Sequence, residues 1–418
     1  MRIVTPFLVM ALGICWAGNP HSVILRFDGP VDINARLSGY NVVSAQELPG
    51  QFIYRVEIDT QLSYQELSSQ LHQISSLLSH EPNQKSVIDG PESAASIDQR
   101  PILILDQRPI LILDQRPILI LDESGRLAAD DPAMAALFKQ PFMSIIRAEQ
   151  AWQDSVGAGV KVAVLDTGID TAHPLFSGAI AHDGYDFVDE DPDAFDERSG
   201  LDSNENGSLD DGWGHGTHTA GIIRLVAPGA TILPIRVVDS DGLGDLFDIL
   251  QGLEHALNSG AQVINLSLSI PEPSPLLQEW INKAKTRNVV VVTSAGNQNS
   301  SEVDFPANEP TVVSVASINN YGEKSAFSNH GSDVDVAAPG ERVLSAVPGG
   351  NSYVERTGTS MVAPMVSAQA ALILELNPTI NFHSLTNRIK NTAYDLDIYN
   401  PDYFGMLGRG LIDLPASL

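Results

Sequence analysis

Three segments of the chain carry side chains that could act together on a carbonyl carbon. Asp166 follows an apolar run in KVAVLDTGID, His215 lies in GHGTHTAGII, and Ser360 follows a Gly-Thr pair in RTGTSMVAPMV. A serine hydroxyl becomes a good nucleophile when an imidazole accepts its proton, and a carboxylate must then fix the imidazole tautomer and stabilise its charge. The three side chains therefore predict nucleophilic catalysis by a serine.

The Asp-Thr-Gly tripeptide by itself allows another interpretation, because aspartic proteases present their catalytic carboxylates in this way. That mechanism needs two carboxylates that share one proton, and the sequence contains Asp-Thr-Gly once. His215 and His218 could also be zinc ligands or core histidines if they were considered alone. The combination of all the segments favours the serine mechanism.

A fourth segment, NVVVVTSAGN, ends at Asn297. An Asn amide can donate a hydrogen bond to an oxyanion, and so can the N–H groups at the start of a helix. Ser360 precedes a long apolar stretch that predicts a buried helix. Pro364 falls in or just beyond its first turn, where a missing N–H is tolerated.

Apolar runs alternate with stretches of helical periodicity from about Val160 onward. Near-continuous apolar runs are typical of central parallel strands, so the pattern predicts an α/β fold with a doubly wound parallel sheet. Ligands bind such sheets beyond the carboxyl ends of the strands, where Asp166 and Asn297 lie. The runs are VKVAVLD, TILPIRVVD, AQVINLSLS, NVVVVTSAGN and TVVSVASI, and the helical stretches are DLFDILQGLEHALNSG and SPLLQEWINKAKTRN.

The composition excludes several classes of protein. With 43% hydrophobic and 18% charged residues among 418, the chain can bury a core. Its net charge of -28 argues against nucleic-acid binding and favours hard cations. We expect no segment after the first 20 residues to be long and apolar enough to span a bilayer, so the sequence predicts no stable membrane association.

The N-terminal stretch MRIVTPFLVMALGICWAGNP is typical of a secretory signal peptide. Its apolar run is shorter than the roughly 20 residues of a membrane span. Lipidation of Cys15 is the alternative, although Ile14 precedes it where such sites need a small residue. Cleavage after Ala17 would remove the single cysteine and exclude disulfides and thiol catalysis.

A small unit is predicted over residues 21–89. The runs SVILRF and QFIYRVEI favour strands, and SYQELSSQLHQISSLLSH favours one helix that begins with a capping box of Ser63 and Glu66. Leu67, Leu71, Ile74 and Leu78 would share one face of that helix. By itself, such a unit could be a binding module or a pro-region.

The octapeptide DQRPILIL occurs three times in residues 98–121. Units of this length cannot stack into a solenoid. A tandem duplication inside a linker is one interpretation, and the Pro and charged residues around each apolar tetrapeptide would restrain aggregation.

The segments VLDTGID, GHGTHTAG, SAGN and GTSMVAP resemble the signature blocks of the subtilisin-like serine proteases, the subtilases, over residues 140–413. The resemblance implies a secreted serine endopeptidase that processes itself from a zymogen, with a subtilisin-like doubly wound parallel sheet behind a small α+β pro-domain. It assigns Asp166, His215 and Ser360 to the triad, and Asn297 with the Ser360 N–H to the oxyanion hole.

The resemblance also implies a division of the chain and a set of partners. We expect a signal peptide at 1–17, a pro-region at 18–97, a repeat linker and processing region at 98–135, and a catalytic domain at 136–418. The partners would be protein or peptide substrates and the chain's own pro-region as an intramolecular inhibitor. We expect a monomer that is released from the cell, with the periplasm as the alternative. One repeat copy, ending at Leu121, could be the processing site.

Substrate contacts carry over from the family with two departures. Ser269 and Ile270 follow Leu268 where relatives usually have glycines, and Met365 stands where they usually have His. An extended substrate would pair with the strands on both sides of it. The residues assigned to substrate binding are Leu243, Gly244, Ser267, Leu268, Ser269, Ala295 and Gly296.

Calcium is the predicted cofactor. The acidic insertion before His215 contains DSNENGSLD, whose side-chain oxygens have EF-hand-like spacing, with Gly207 at the sharp turn. Trp213 takes position twelve, where Glu is usual, and a solvated acidic loop is the alternative. The candidate ligands are Asp202, Asn204, Asn206 and Asp210.

The same scaffold could have two other functions besides that of an endopeptidase. A transpeptidase or macrocyclase would shield its acyl-enzyme with an extra capping element, and no such insertion is evident. A catalytically dead binding protein would be expected to lack triad or oxyanion residues, and all four are present.

Overall fold

The structure is a computed structural model that describes residues 21–88 and 132–418. The predicted signal peptide, the repeat and the processing site at Leu121 lie outside the described residues. Contacts between residues divide the chain into two units, with the division between Asn83 and Gln84. The limits predicted from the sequence for the four regions remain predictions.

The smaller unit is an antiparallel sheet with two short helices. Its elements are β1 (His21–Phe27), α1 (Ile33–Arg36), β2 (Val42–Leu48), β3 (Ile53–Ile58), α2 (Tyr64–Leu71) and β4 (Leu77–Pro82). The strand order is β2-β3-β1-β4. Val23, Leu25 and Phe27 of β1 pack with Leu67 and Leu71 of α2 in one core. The prediction of a small α+β unit is confirmed.

The helix predicted from Ser63 is shorter than its apolar pattern indicated. The capping box is present, since the Ser63 N–H donates to Glu66 Oε2 at 2.9 Å, but α2 ends at Leu71. Leu78 lies on β4 instead and is 62% exposed. The β4 strand pairs with β1, which satisfies backbone groups that a longer helix would have paired internally. Helical spacing of leucines was therefore a misleading signal here.

The larger unit contains the remaining described elements. In chain order they are β5 (Lys85–Val87), α3 (Pro132–Lys139), α4 (Pro141–Ile145), α5 (Ala148–Ala151), β6 (Lys161–Asp166), β7 (Tyr185–Asp186), α6 (His215–Val226), β8 (Thr231–Arg236), β9 (Leu243–Asp245), α7 (Leu246–Asn258), β10 (Val263–Leu266), α8 (Pro275–Thr286), β11 (Val290–Ser294), β12 (Val313–Ile318), β13 (Val336–Pro339), β14 (Val343–Val347), β15 (Ser352–Arg356), α9 (Ala363–Leu376) and α10 (Phe382–Asn391).

A seven-stranded parallel sheet forms the centre of this unit. Its order is β13-β12-β11-β10-β6-β8-β7, and neighbouring strands are parallel throughout. After β6 the chain forms β7 at the edge and then β8 between the two, and it next forms β10 on the other side of β6, so the strand order reverses next to β6. The predicted doubly wound α/β fold is confirmed, and β6 lies at the point where such folds bind ligands.

Helices flank the sheet, and α9, like α6, is buried over most of its length. It packs on α6 and on β10 and β11, and its residues from Ala363 to Ile373 are all buried. In the described part of the chain, Thr359–Leu376 is the one helical stretch long and apolar enough to cross a membrane, and 89% of it is buried. The expectation that no later segment is long and apolar enough to span a bilayer was therefore wrong. The burial of Thr359–Leu376 identifies it as a core helix.

The corrected helix boundary predicts different effects for two leucines of the smaller unit. We expect Leu71→Ala to lower the free energy of unfolding of this unit by about 2–5 kcal/mol, because it opens a cavity in the core. Leu78→Ala should change it by less than about 0.5 kcal/mol, as for other exposed positions. Hydrogen exchange of peptides from residues 21–82 in the full chain measures both effects. A large effect of Leu78→Ala would contradict the boundary at Leu71.

Candidate active site

Asp166 and His215 meet at the carboxyl end of β6, one of the inner strands of the sheet. Asp166 is the last residue of β6 and His215 the first of α6, and both are at most 2% exposed. His215 Nδ1 lies 2.7 Å from Asp166 Oδ1. The carboxylate also accepts from the Thr167 N–H at 2.8 Å and from Thr219 Oγ1 at 3.1 Å. These bonds orient the carboxylate so that it accepts a hydrogen bond from Nδ1–H, which leaves Nε2 as a base.

Two glycines allow α6 to start directly against the end of β6. A Cβ on Gly216 would lie 2.2 Å from Gly168 O and 3.0 Å from Asp166 Cβ. Gly168 has a φ of 98° and is itself covered by the carbonyl of Phe195. The Gly216 N–H donates to Thr167 Oγ1 at 2.9 Å. No larger side chain fits at these two positions, which explains the glycines of the DTG and GHG segments.

Ser360 lies on a 3-10 turn, Thr359–Met361, immediately before α9. The turn contacts α6, and Ser360 is 3% exposed. Its carbonyl accepts from Ser267 Oγ at 3.1 Å, and Ser267 Oγ accepts from Asn265 Nδ2 at 3.0 Å. This chain of hydrogen bonds anchors the turn to the end of β10. His215 Nε2 is buried and has no hydrogen-bond partner among the described residues.

Asn297 is held by the residue that precedes Ser360. Asn297 Oδ1 accepts from the Thr359 N–H at 2.8 Å and from Thr359 Oγ1 at 2.9 Å. The amide Nδ2 therefore faces the other way, toward Gly358, where an added Cβ would meet it at 3.6 Å. This arrangement turns an N–H donor toward the space beside the Ser360 turn.

Residues 84–88 occupy the cleft in front of these side chains. Lys85–Val87 forms β5, which pairs antiparallel with β9 at Leu243 and Gly244. On its other side, the Val87 N–H donates to Ser269 O at 3.0 Å, and Val87 O accepts from the Ser269 N–H at 3.2 Å. Ile88 then donates its N–H to Gly242 O at 3.0 Å. An extended segment of the chain thus lies between the two strands that the sequence assigned to substrate binding.

A cavity of about 490 Å³ continues from this segment toward the histidine. Ile88, Leu243, His215 and Arg356 are among the residues that line it, together with the acidic insertion at Asn204, Glu205 and Asp211. Leu268, Ala295 and Ser267, from the predicted binding set, are buried instead. Gly296 has a φ of 104° and no room for a side chain beside Asp304 and Asn329.

His218 is a core residue in this arrangement. It is fully buried, and its Nε2 donates to the carbonyls of Val343 and Val354 at 3.0 and 3.1 Å. Burial, and then the positive charge of Arg356, hold the pKa of His218 well below its usual value. A neutral histidine bound to two carbonyls excludes the interpretation of His215 and His218 as a zinc pair.

The candidate calcium loop brings together three of its four predicted residues. Asp202 Oδ1 accepts from the Asn206 N–H at 3.0 Å, and Asn204 Oδ1 accepts from the same N–H at 3.0 Å. Asp210 is turned away, because its Oδ1 accepts from Ser240 Oγ and the N–H groups of Ser199 and Gly200. Asp211 instead lies next to Asn206, whose Nδ2 donates to its Oδ2 at 2.5 Å.

A second acidic cluster surrounds a buried arginine. The carboxylates of Asp186, Asp189 and Glu197 lie within 4.8 Å of one another, and all three contact Arg236 Nη1. The Arg236 side chain is 2% exposed. Its guanidinium already supplies the positive charge at the centre of the group, so a divalent cation there would be repelled.

Two residues of the site were missed by the sequence analysis. Thr359 orients Asn297, and its position next to Ser360 was an available signal. Asp196, fully buried beside the start of α6, belongs to an insertion with many acidic residues. Nothing in the sequence distinguishes it from its neighbours.

Comparison with known proteins agrees with this geometry. The sequence model of the subtilase family (Peptidase_S8) matches residues 157–408. Subtilisin BL of Lederbergia lenta is 37% identical over 270 residues, 62% of this chain and 91% of that protein. Subtilisin E of Bacillus subtilis (strain 168) is 36% identical over 278 residues, 63% of this chain and 67% of that protein.

Solved structures show the same fold. Proteases from Pseudoalteromonas arctica are similar with a TM-score of 0.59 and 34% identity, over 65% of this chain and 93% of that one. Fervidolysin from Fervidobacterium pennivorans, a keratinolytic enzyme, has a TM-score of 0.71 at 24% identity, over 96% of this chain and 61% of that one. The chain belongs to the subtilase family and is a subtilisin-like serine endopeptidase.

The contact between Thr359 and Asn297 predicts a catalytic effect. We expect Thr359→Val to lower kcat about 10- to 100-fold, because Asn297 loses one of the two bonds from Thr359 that orient its amide. Thr359→Ser keeps the hydroxyl and should retain most of the activity. Steady-state hydrolysis of a chromogenic peptide by the two variants measures the difference. Equal activity of the Val and Ser variants would show that this bond does not matter for catalysis.

Proposed function

We propose that Asp166, His215 and Ser360 are the catalytic triad of a secreted endopeptidase that is made as a zymogen. The observation that carries this proposal is the 2.7 Å bond between Asp166 Oδ1 and His215 Nδ1, on a helix that contacts the Ser360 turn. Secretion is inferred from the apolar N-terminal stretch alone.

The reaction would begin when Ser360 Oγ attacks the carbonyl carbon of the scissile peptide bond and His215 Nε2 accepts its proton. Asp166 stabilises the resulting imidazolium through the Nδ1–H bond. The oxyanion would receive hydrogen bonds from Asn297 Nδ2 and the Ser360 N–H. His215 then donates the proton to the leaving amine, and water hydrolyses the acyl-enzyme by the same steps in reverse.

Substrates would bind as residues 84–88 do, as a strand between β9 and Ser269. Backbone pairing of this kind provides affinity that is largely independent of sequence, while the cavity beside His215 selects a side chain. Ile88 lines that cavity, which supports apolar residues at this position of the substrate. Protein and peptide substrates are therefore the partners that this site fits.

The same pairing supports an inhibitory role for the N-terminal region. While residues 84–88 remain paired, a substrate strand cannot reach β9 or Ser269. Because Ile88 lines the same cavity as His215, we propose that the first cut falls within a few residues after Ile88. This location is an alternative to the processing site at Leu121 that the repeat suggested.

Mass and N-terminal mapping of the secreted product test these proposals. The unaltered chain should be cut shortly after Ile88, whereas Ser360→Ala should stay uncut beyond removal of the signal peptide. Ser301→Ala, at an exposed serine, is the matched control and should be cut normally. A cut at Leu121 would refute the location, and equal cutting of the Ser360→Ala chain would refute self-processing.

We also propose that the loop of Asp202, Asn204 and Asn206 binds calcium, with Asp211 in the place that was predicted for Asp210. Carboxylate and amide oxygens are the ligands that calcium prefers, and Gly207 has the positive φ of 90° that the sharp turn needs. Bound calcium would stabilise the folded loop and, through it, one wall of the cavity beside His215.

Thermal unfolding of the Ser360→Ala chain with and without calcium tests this site. At 100 times Kd, calcium should add about 2.7 kcal/mol to the free energy of unfolding, and Asp202→Ala should remove most of that gain. Asp402→Asn, which removes an exposed carboxylate elsewhere, should leave the gain intact. An equal calcium response in the Asp202→Ala chain would place the ion elsewhere.

A further inference from the structure

A second buried carboxylate lies at the start of the helix that carries His215. Asp196 is 0% exposed. Its Oδ1 accepts from the Gly214 N–H at 2.9 Å, and its Oδ2 accepts from the Thr217 N–H at 3.1 Å and from Thr217 Oγ1 at 2.6 Å. The three donors lie on either side of His215, so the carboxylate holds the first turn of α6 from both sides.

The chain around Asp196 also covers the turn that follows Asp166. Ala194 O accepts from the Ile169 N–H at 2.9 Å. Thr217 Oγ1, while it donates to Asp196, accepts from the Asp170 N–H at 3.0 Å. Asp196 is therefore the point at which the insertion connects the DTG turn to the start of α6.

We propose that Asp196 is a positioning residue that fixes His215 against Asp166, and that it does so only as a carboxylate. This inference rests on the triad proposed above. Two of the three groups bound to Asp196 are backbone N–H groups that can only donate, one to each oxygen, so both oxygens must accept. A proton on either oxygen would point a donor at another donor, so the first turn of α6 would lose one of its anchors.

Several charged or titratable groups surround Asp196. Asp166 approaches from β6 and Arg356 from β15, while His215 and His218 lie on α6, and Asp170 follows the DTG turn. Burial, together with the negative charge of Asp166, raises the pKa of Asp196 to about 6, although its hydrogen bonds act in the opposite direction. The carboxylate is therefore ionised at neutral pH and becomes protonated as the pH falls through about 6.

Stability and activity should respond to this proton in opposite directions. Because the pKa of Asp196 is higher in the folded than in the unfolded chain, its contribution to stability is fully present below pH 3.8 and is lost as the pH rises through about 6. Activity needs the ionised form and should be lost as the pH falls. A loss of activity near pH 6 through Asp196 is thus separable from unfolding.

The experiment compares kcat and KM from pH 4.5 to 9 for the mature enzyme and for Asp196→Asn. In the unaltered enzyme, the acid limb of kcat/KM should involve one more proton than in Asp196→Asn, because Asp196 becomes protonated there. The Asn variant should show a single-proton limb, with kcat at pH 8 reduced about 10-fold and KM changed less than 2-fold. Asp193→Asn, three residues earlier and exposed, is the matched control and should behave as the unaltered enzyme.

An unchanged slope and an unchanged kcat in Asp196→Asn would overturn the proposal. If that variant does not fold, Thr217→Val removes the hydroxyl donor and should still lower kcat and alter the acid limb, while Thr217→Ser should restore both. Labelling with a serine-directed fluorophosphonate separates this test from the triad itself. An unaltered enzyme that is neither labelled at Ser360 nor active would contradict the proposed function, whereas a labelled Asp196→Asn with unchanged kinetics contradicts only the role of Asp196.

Discussion

The close approach of the start of α6 to the end of β6 is the constraint on which the rest of the site depends. Only because Gly216 and Gly168 lack side chains can the helix begin at van der Waals distance from the strand. That distance allows a direct bond between His215 and Asp166, and it places both groups beyond the carboxyl end of a central parallel strand. Catalysis of this kind requires such distances to be held within fractions of an ångström.

Hydrogen bonds from buried polar residues hold the other functional groups in place relative to His215 and Asp166. Ser267 anchors the turn of Ser360, and Thr359 on the same turn orients Asn297. Asp196 connects the DTG turn to α6. A rearrangement at any of these residues would displace its neighbours, because the interior is close-packed and leaves no space for a gradual adjustment. The strands of the cleft are different, because their open edges are satisfied by residues 84–88 through backbone bonds that a substrate could replace.

The sequence was most informative where a local pattern is compatible with only one kind of structure. Near-continuous apolar runs predicted the parallel strands, and the positions of Asp166 and Asn297 directly after such runs predicted that both lie at strand ends. It misled where a local pattern allowed two structures: the leucines up to Leu78 fit a helix, but pairing with β1 made the last of them a strand. Which of Asp210 and Asp211 lies next to Asn206 likewise depended on Ser240, which is distant in the sequence and binds Asp210.

The sequence by itself determined the family, the chemistry of the reacting side chains and the class of fold, because these follow from residue types and from local periodicity. Only the tertiary structure decided which buried polar groups support them and what occupies the cleft. Asp196 is one of many acids in an insertion, and residues 84–88 are unremarkable in composition. Their roles arise from partners far along the chain, Thr217 for the first and Ser269 for the second, and such long-range contacts are encoded by the packing of the whole domain.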